Sequence, residues 1–352
     1  MGQSPDSSSY NNNCIGLPLV QGNADMCERI ATPQRYTSQP TKTCEAGSII
    51  LSVRAPVGTV GKTFQKICLG RGVCGITSKN IEFMYQYLLN NENSWRHIEQ
   101  GGTFTAINSD DIKSFPIILP SLPEQKKIAD FLSLIDQRIE KQRQLVENLK
   151  KYKRGLLSAI FDNKLIGENW KKYKLSSILK ERSTYSEKDG SYEHVTLSRD
   201  GIIPKTERYD RDFLVSSENK KYKITKMGDI CYNPANMKFG VICLNTYGNA
   251  IFSPIYITFE IKSDFDKPFV GLYMTRNDFI NRSLKFQQGT VYERMAVSPE
   301  DLLSMDIELP NLEAQKRISN IFTILDKKIV RENNIFNELQ KMKRALLQQM
   351  FI

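Results

Sequence analysis

The sequence predicts an α+β chain: two mixed α/β domains, each followed by a long helix, the two helices pairing as an antiparallel coiled coil. Three observations carry this. The stretch Leu119–Phe161 recurs without a gap as Leu309–Phe351, at a constant offset of 190 residues and with fifteen of 43 positions identical. A fixed internal period sets the architecture, and one this long reads as a duplicated domain-plus-helix unit. Each copy has an apolar 3-4-3-4 rhythm, and each is preceded by short strand-like runs and glycine turns in the same order. The predicted parts are residues 1–118 (first domain), 119–161 (central helix), 162–308 (second domain) and 309–352 (last helix).

The helices follow from their seams. In the first copy Ile128, Leu132, Ile135, Ile139, Val146 and Leu149 fall on one face, continued by Leu156 and Ile160. In the second the seam is Ile318, Phe322, Leu325, Ile329, Phe336 and Leu339, then Leu346 and Met350. Such spacing suits coiled-coil pairing. Both seams break at equivalent places, Gln142 against Glu332 and Lys153 against Lys343, and polar seam positions fix register. Ser121 and Glu124 have capping-box spacing with Pro123 in the first turn, and Asn311 is a good N-cap. From Glu124 to Phe161 such a helix runs on the order of 55 Å at ~1.5 Å per residue. The expected role is to hold two globular units at a fixed separation; the plainer alternative is that each seam packs on its own domain.

Taken in order, residues 1–45, rich in Ser, Asn, Gln, Pro and Thr, read as irregular surface segments. Ser48–Ala55, Thr63–Gly70 and Val73–Ser78 read as strands between glycine turns. A helix is expected around Ile81–Leu89, then a Gly101-Gly102-Thr103 loop, then residues 110–120 leading into the long helix. The second half repeats this order. Gly228-Asp229-Ile230 answers Gly47-Ser48-Ile49, and residues 239–245 and 250–261 supply strands. Phe269 and Tyr273 answer Phe83 and Tyr87 on a helix, and Gly289-Thr290 answers Gly102-Thr103. Residues 170–183, a strand and a helix start, have no counterpart in the first half, so the chain is expected to start inside its first domain.

Composition narrows the function. Hydrophobic residues are 40% and charged residues 25%, as in a globular protein, and no apolar run is long enough for a membrane span. Seven cysteines without a Cys-x-x-Cys pair read as reduced cytoplasmic thiols, and two histidines make a histidine-based metal or triad site unexpected. The net charge of +10 is not spread evenly: each helical stretch carries four excess positive charges, whereas the two domains are near neutral. Charge alone therefore does not establish nucleic-acid binding.

Two variable α/β domains, each running through a Gly-Thr loop into the helices that open LPSLPEQKKIADFL and LPNLEAQKRISNIF, with GSIILSVRAPVG before the first, resemble the DNA-specificity subunit of type I restriction-modification enzymes. The resemblance covers nearly the whole chain, apart from the missing front of the first domain. It implies a non-catalytic, cytoplasmic subunit whose two target recognition domains each read one half of a split double-stranded DNA sequence. It implies as partners two methyltransferase subunits docked on the helices, and restriction/translocase subunits. S-adenosylmethionine, ATP and Mg would then sit on those partners, with no cofactor or metal on this chain. The alternatives are a coiled-coil adaptor or structural DNA-binding protein without a restriction role, and a stand-alone enzyme.

Base edges call for Arg, Lys, Asn and Gln, and phosphates for Lys and Arg. The candidates are Gln3, Ser4, Gln21, Arg54 and Lys62 in the first domain, and Arg199, Lys205, Arg208, Asn236 and Lys238 in the second. Lys220, Lys221, Lys223 and Lys226 form a candidate phosphate strip or, equally, a solvated charged face. Two look-alikes are set aside. Pro56–Thr63 lacks the first glycine of a phosphate-binding loop and is followed by a strand pattern. Asn233-Pro234-Ala235-Asn236 lacks the aromatic residue a base-flipping methyltransferase loop would need, and reads as a turn. Asp110 and Asp111 read as helix-capping residues.

Overall fold

The computed structural model describes residues 1–98, 106–162, 170–187, 190–205, 221–286 and 296–351. They form two compact units, residues 1–146 with 331–352, and residues 147–330. The Gly-Thr loops at 101–103 and 289–290 lie outside the described residues.

Unit 1 begins with β1 (Tyr10–Asn11), β2 (Leu17–Val20), β3 (Met26–Cys27), β4 (Ile30–Ala31), β5 (Arg35–Thr37) and β6 (Thr43–Cys44), followed by β7 (Ile49–Ser52), β8 (Val60–Lys62), β9 (Ile67–Leu69) and β10 (Val73–Ile76). The first six correct the expectation of an irregular front. Each is two to four residues long, too short for its side-chain alternation to register against a polar background. The strands form two five-stranded sheets, ordered β1-β5-β2-β9-β6 and β10-β7-β8-β4-β3. Strand residues point alternately to opposite faces, and all four residues of β7 are buried. Ile49 and Leu51 join Val60, Met84, Leu88 and Trp95 in one core, while Ile50 joins Val20, Ile67, Leu69 and Val73 in another. The helices that follow are α1 (Ile81–Asn90), capped by the Asn80 side chain, α2 (Glu92–Ile98) and α3 (Ser109–Ser114). Asn108 and Asp111 form the capping box of α3, with Asp110 beside it. The Pro56–Thr63 stretch is a turn leading into β8. Then comes α4 (Leu122–Asp162).

Unit 2 opens with β11 (Lys171–Lys174), the single turn α5 (Leu175–Ile178) and β12 (Leu179–Glu181). It continues through β13 (Tyr185–Ser186), β14 (Glu193–Ser198), β15 (Gly201–Pro204), β16 (Tyr222–Thr225), β17 (Ile230–Tyr232), β18 (Ile242–Leu244), β19 (Ala250–Phe252) and β20 (Ile257–Ile261). Next are α6 (Lys267–Met274), α7 (Asn277–Ser283), α8 (Pro299–Ser304), β21 (Asp306–Leu309) and α9 (Leu312–Met350). Its sheets are β12-β20-β17-β18, β13-β16-β19-β14-β15 and the pair β11-β21. The logic of β7 repeats in β17. Ile230 and Tyr232 face a core with Phe259, Phe269 and Phe279, and Cys231 faces the other with Val195, Leu197 and Phe252.

The two long helices, of 41 and 39 residues, pair antiparallel, and all twelve seam residues are buried or half-buried. Within unit 1 Leu132 and Ile135 of α4 pack on Leu347 of α9, with Ile128 and Ile139 alongside. The polar breaks meet polar partners. Gln142 donates to the carboxylate of Glu332 at 2.8 Å, and Lys343 pairs with Asp136 at 2.5 Å. Within unit 2 Lys153 pairs with Asp326 at 2.5 Å. Asp136 and Asp326 are themselves equivalents at the 190-residue offset, so the same Lys–Asp pair occurs once in each unit. The seams also serve the heads: Ile318 and Phe322 belong to the core of unit 2, and Ile128 packs beside Phe83 and Tyr87 of unit 1. Phe351 lies 5.4 and 5.5 Å from the rings of Phe83 and Tyr87, as Phe161 lies 5.3 and 5.6 Å from those of Phe269 and Tyr273.

Candidate nucleic-acid interface

In unit 1 one turn gathers most of the candidate side chains. Gly70, Arg71 and Gly72 join β9 to β10. The Gln3 N–H donates to the Leu69 carbonyl at 2.8 Å, and the Arg71 N–H donates to the Ser4 hydroxyl oxygen at 3.2 Å. The Gly70 N–H donates to the Val20 carbonyl at 2.7 Å, which places Gln21 alongside. A Cβ on Gly72 would stand 2.2 Å from the Gln21 carbonyl oxygen, so only glycine fits. The Val53 N–H donates to the Gly72 carbonyl at 2.9 Å and brings Arg54 to the same place. Gln3, Arg54 and Arg71 are exposed. The Gln21 amide is engaged inside the unit, donating to the Tyr10 hydroxyl at 2.9 Å. Sequence reasoning missed Arg71, although a Gly-Arg-Gly turn between two strands is the signal that could have found it.

Lys62 stands apart. Its ammonium pairs with Glu82 at 2.5 Å and sits 4.1 Å from the centre of the Tyr85 ring, so its charge is used within the unit.

In unit 2 Asn233 caps a 3-10 turn, Pro234–Phe239, through the Ala235 N–H at 3.1 Å. Asn236 and Lys238 are exposed on it, and the Lys238 ammonium lies 5.0 Å from the Phe239 ring, itself 60% exposed. Phe239, expected in a strand, is instead an exposed aromatic beside a lysine. Arg199 is exposed at the β14–β15 turn, and Lys205 is half-buried just after β15. Lys221 and Lys226 are exposed. Lys223 is a correction: it is 2% exposed and its ammonium pairs with Glu181 at 2.7 Å, so it cannot serve a phosphate strip. β16 buries Tyr222, Lys223 and Thr225 alike, so the strand lies within the fold and takes the Lys223 side chain in with it. Arg208 and Lys220 lie outside the described residues.

The two units place these groups on equivalent connections. Arg54 follows β7, and Asn236 and Lys238 follow β17. Each connection is pinned from behind by the same backbone bond: Ile107 N–H to the Val53 carbonyl at 3.0 Å, and Val297 N–H to the Pro234 carbonyl at 3.2 Å. Ile107 and Val297 are again 190 residues apart. What each surface offers is amide, guanidinium and ammonium donors, which bind base edges and phosphates. The neighbouring thiols are unreactive, since burial pushes Cys231 and Cys243 up to about 12 and Cys74 up to about 11.

Two α/β heads of one plan, each followed by a long helix that pairs with the other, define a duplicated specificity-domain protein. The chain belongs to the family described as the type I restriction modification DNA specificity domain, whose model matches residues 5–150 and 167–341. Among relatives, the protein named as the MjaX type I restriction enzyme specificity subunit of Methanocaldococcus jannaschii is 38% identical over 169 residues, 47% of this chain and 40% of that protein. The MjaIX specificity subunit of the same organism is 30% identical over 129 residues, 34% of this chain and 30% of that one. The matched stretches thus span less than half the length of either relative. The S subunit of the type I restriction-modification system of M. genitalium has the same fold. Its TM-score is 0.60 at 16% identity, covering 100% of this chain and 92% of that one. A chain solved in work on assembly and conformational transition of the type I R-M system gives 0.56 at 15% identity, covering 97% and 91%.

Proposed function

We propose that this chain is the DNA-reading subunit of a type I restriction-modification complex, each head reading one half of a split target. The observation that carries the reading is the duplicated connection after β7 and β17, presenting Arg54 in one head and Asn236 and Lys238 in the other. Gln3, Ser4 and Arg71 extend the first surface, and Arg199, Lys205 and Lys221 are candidates for the second. Chemistry is assigned to partners: two methyltransferase subunits and restriction/translocase subunits, which would hold S-adenosylmethionine, ATP and Mg. Docking is assigned to the helices, where Phe131 (45% exposed) and Leu134 (64%) of α4 have equivalents in Ile321 (39%) and Ile324 (59%) of α9. Two like patches suit two copies of one partner.

The adaptor alternative accounts for the helices but not for two heads that present hydrogen-bonding groups on equivalent connections. The test is modified-base sequencing of DNA from cells carrying this chain with its methyltransferase. A split methylated motif is expected, and exchanging one head for that of a relative should change only one half of it. Methylation independent of this chain, or both halves changing together, would overturn the proposal.

A further inference from the structure

The connections after β7 and β17 are equivalents, but they are not copies. Residues 52–59 lie between the paired strand residues Leu51 and Val60, whereas 233–241, one residue more, lie between Tyr232 and Ile242. Each connection turns through a glycine in the left-handed region, Gly58 at φ 87° and Gly240 at φ 74°, where a side chain would be strained. Each is also anchored by a buried apolar residue, Val57 at 3% exposed and Met237 at 0%. In unit 1 the anchor is followed at once by its glycine. In unit 2 Lys238 and Phe239 stand between the two, and both are exposed. Residues 52–59 contain no aromatic side chain. Unit 1 has an exposed phenylalanine in Phe64, but it follows β8 at the opposite end of that hairpin from Arg54.

The backbone beneath Phe239 holds its ring outward. The Asn233 N–H donates to the Val241 carbonyl at 3.0 Å and the Gly240 N–H to the Met237 carbonyl at 2.9 Å, so the turn is closed at its base. The core below is filled by Met237 together with Tyr232, Phe279 and Ile280. Around the ring stand the Lys238 ammonium, 5.0 Å away, and the exposed amide of Asn236. Residues 233–241 contain no carboxylate. An apolar ring carried between a cation and an amide, with no acidic group on its turn, suits a polyanion that has flat apolar faces inside it. Nucleic acid is such a polymer, and inserted apolar side chains partly unstack its base steps.

We propose that Phe239 is a wedge. When unit 2 meets its half-site the ring stacks into one base step and partly unstacks it, while Lys238 leaves the ring for a neighbouring phosphate. This rests on the DNA-reading function proposed above and adds that the two heads read differently. Unit 2 reads in part through the ease with which one step opens, since pyrimidine–purine steps unstack at the least cost. Unit 1, with Arg54 and no aromatic residue on the equivalent connection, reads a stacked duplex.

The experiment uses the full chain with its methyltransferase and duplexes carrying the split methylated motif. Base pairs of both half-sites are reported in turn by 2-aminopurine in place of adenine or pyrrolocytosine in place of cytosine, those of the methylated adenines excepted. On binding, fluorescence should rise at one step of the half-site assigned to unit 2 by head exchange, and nowhere in the other. Phe239→Ala should remove that rise and weaken specific binding about tenfold, the scale of one lost base–aromatic stack. Phe239→Tyr should keep the rise and bind within about twofold of the unaltered chain. No rise in the unit 2 half-site, equal rises in both, or a rise that survives Phe239→Ala would overturn the wedge, while specific binding by the unaltered chain kept the DNA-reading function standing. Absence of that specific binding would overturn the DNA-reading function and the wedge with it. Loss of methyltransferase from the DNA-free complex on Phe239→Ala, read by native mass spectrometry, would place the ring at a protein interface and overturn the wedge alone. The fluorescence map of the unaltered chain decides the matter even if a variant does not fold.

Discussion

At the scale of single residues, position along the chain said which chemistry was present but not which way it faced. Lys62, Lys223 and Arg54 are all basic residues in or beside strands; only Arg54 has its charge in solvent, because tertiary partners such as Glu82 and Glu181 lie 20 or more residues away in sequence. Gln125 and Gln315 were legible only as part of a repeated motif. Their structural role is to close the helix start: each side-chain amide donates to the carbonyl of a proline there, Pro120 at 2.9 Å and Pro310 at 2.8 Å. Gln315 is 2% exposed and also accepts from the Asp266 N–H at 3.0 Å. Gln315→Leu leaves both backbone groups without partners and should destabilise unit 2 by about 1–3 kcal/mol, measurable by denaturant unfolding. Asp229 poses a harsher test. It is 1% exposed, and its hydrogen bonds raise the Arg182 guanidinium above its ordinary value. Arg182→Met strands the carboxylate, so a loss of about 3–5 kcal/mol is expected. A loss under about 1 kcal/mol would mean that water reaches the carboxylate.

At the scale of elements, the long helices were legible because apolar spacing and caps repeat over many turns, whereas strands of two to four residues carry no periodicity to read. The start of α4 makes a pH prediction. The Ser121 hydroxyl and N–H donate to Glu124 and hold its carboxyl below its ordinary value of 4.5. Since the folded value is the lower one, the cap stabilises above the unfolded value and is lost as pH falls through the folded value. Glu124→Gln should therefore lower the thermal midpoint at pH 7, and the gap to the unaltered chain should close as pH falls below about 4. The outer faces of the same helices carry the docking assignment. Leu134→Asp alone should reduce the methyltransferase complex from two partner subunits to one, and Leu134→Asp with Ile324→Asp should abolish it, as read by native mass spectrometry. Two bound subunits on the double variant would place docking elsewhere.

At the scale of the whole molecule, the 190-residue offset extends beyond the helices themselves: Ile107 with Val297, and Pro116–Leu119 with Asp306–Leu309. That regularity was legible from the repeat itself. The antiparallel pairing was legible too; what stayed unread was its register, in which Gln142 meets its own equivalent, Glu332, and each Lys–Asp pair is the other's image. Such a pairing fixes register, and register makes the helices a candidate measure of the distance between half-sites, since protein geometry sets half-site spacing. A heptad inserted into both α4 and α9 keeps each seam on its face. Seven residues add roughly 10 Å at ~1.5 Å per residue, close to three base pairs at ~3.4 Å each. Placed symmetrically between Gln142 and Lys153 on α4 and between Glu332 and Lys343 on α9, the insertions should lengthen the unread gap of the methylated motif by about three base pairs and leave both half-site sequences unchanged. An unchanged gap would show that the spacing is set by the heads or the partner subunits. Altered half-sites would show that the heads do not read DNA independently of the helices.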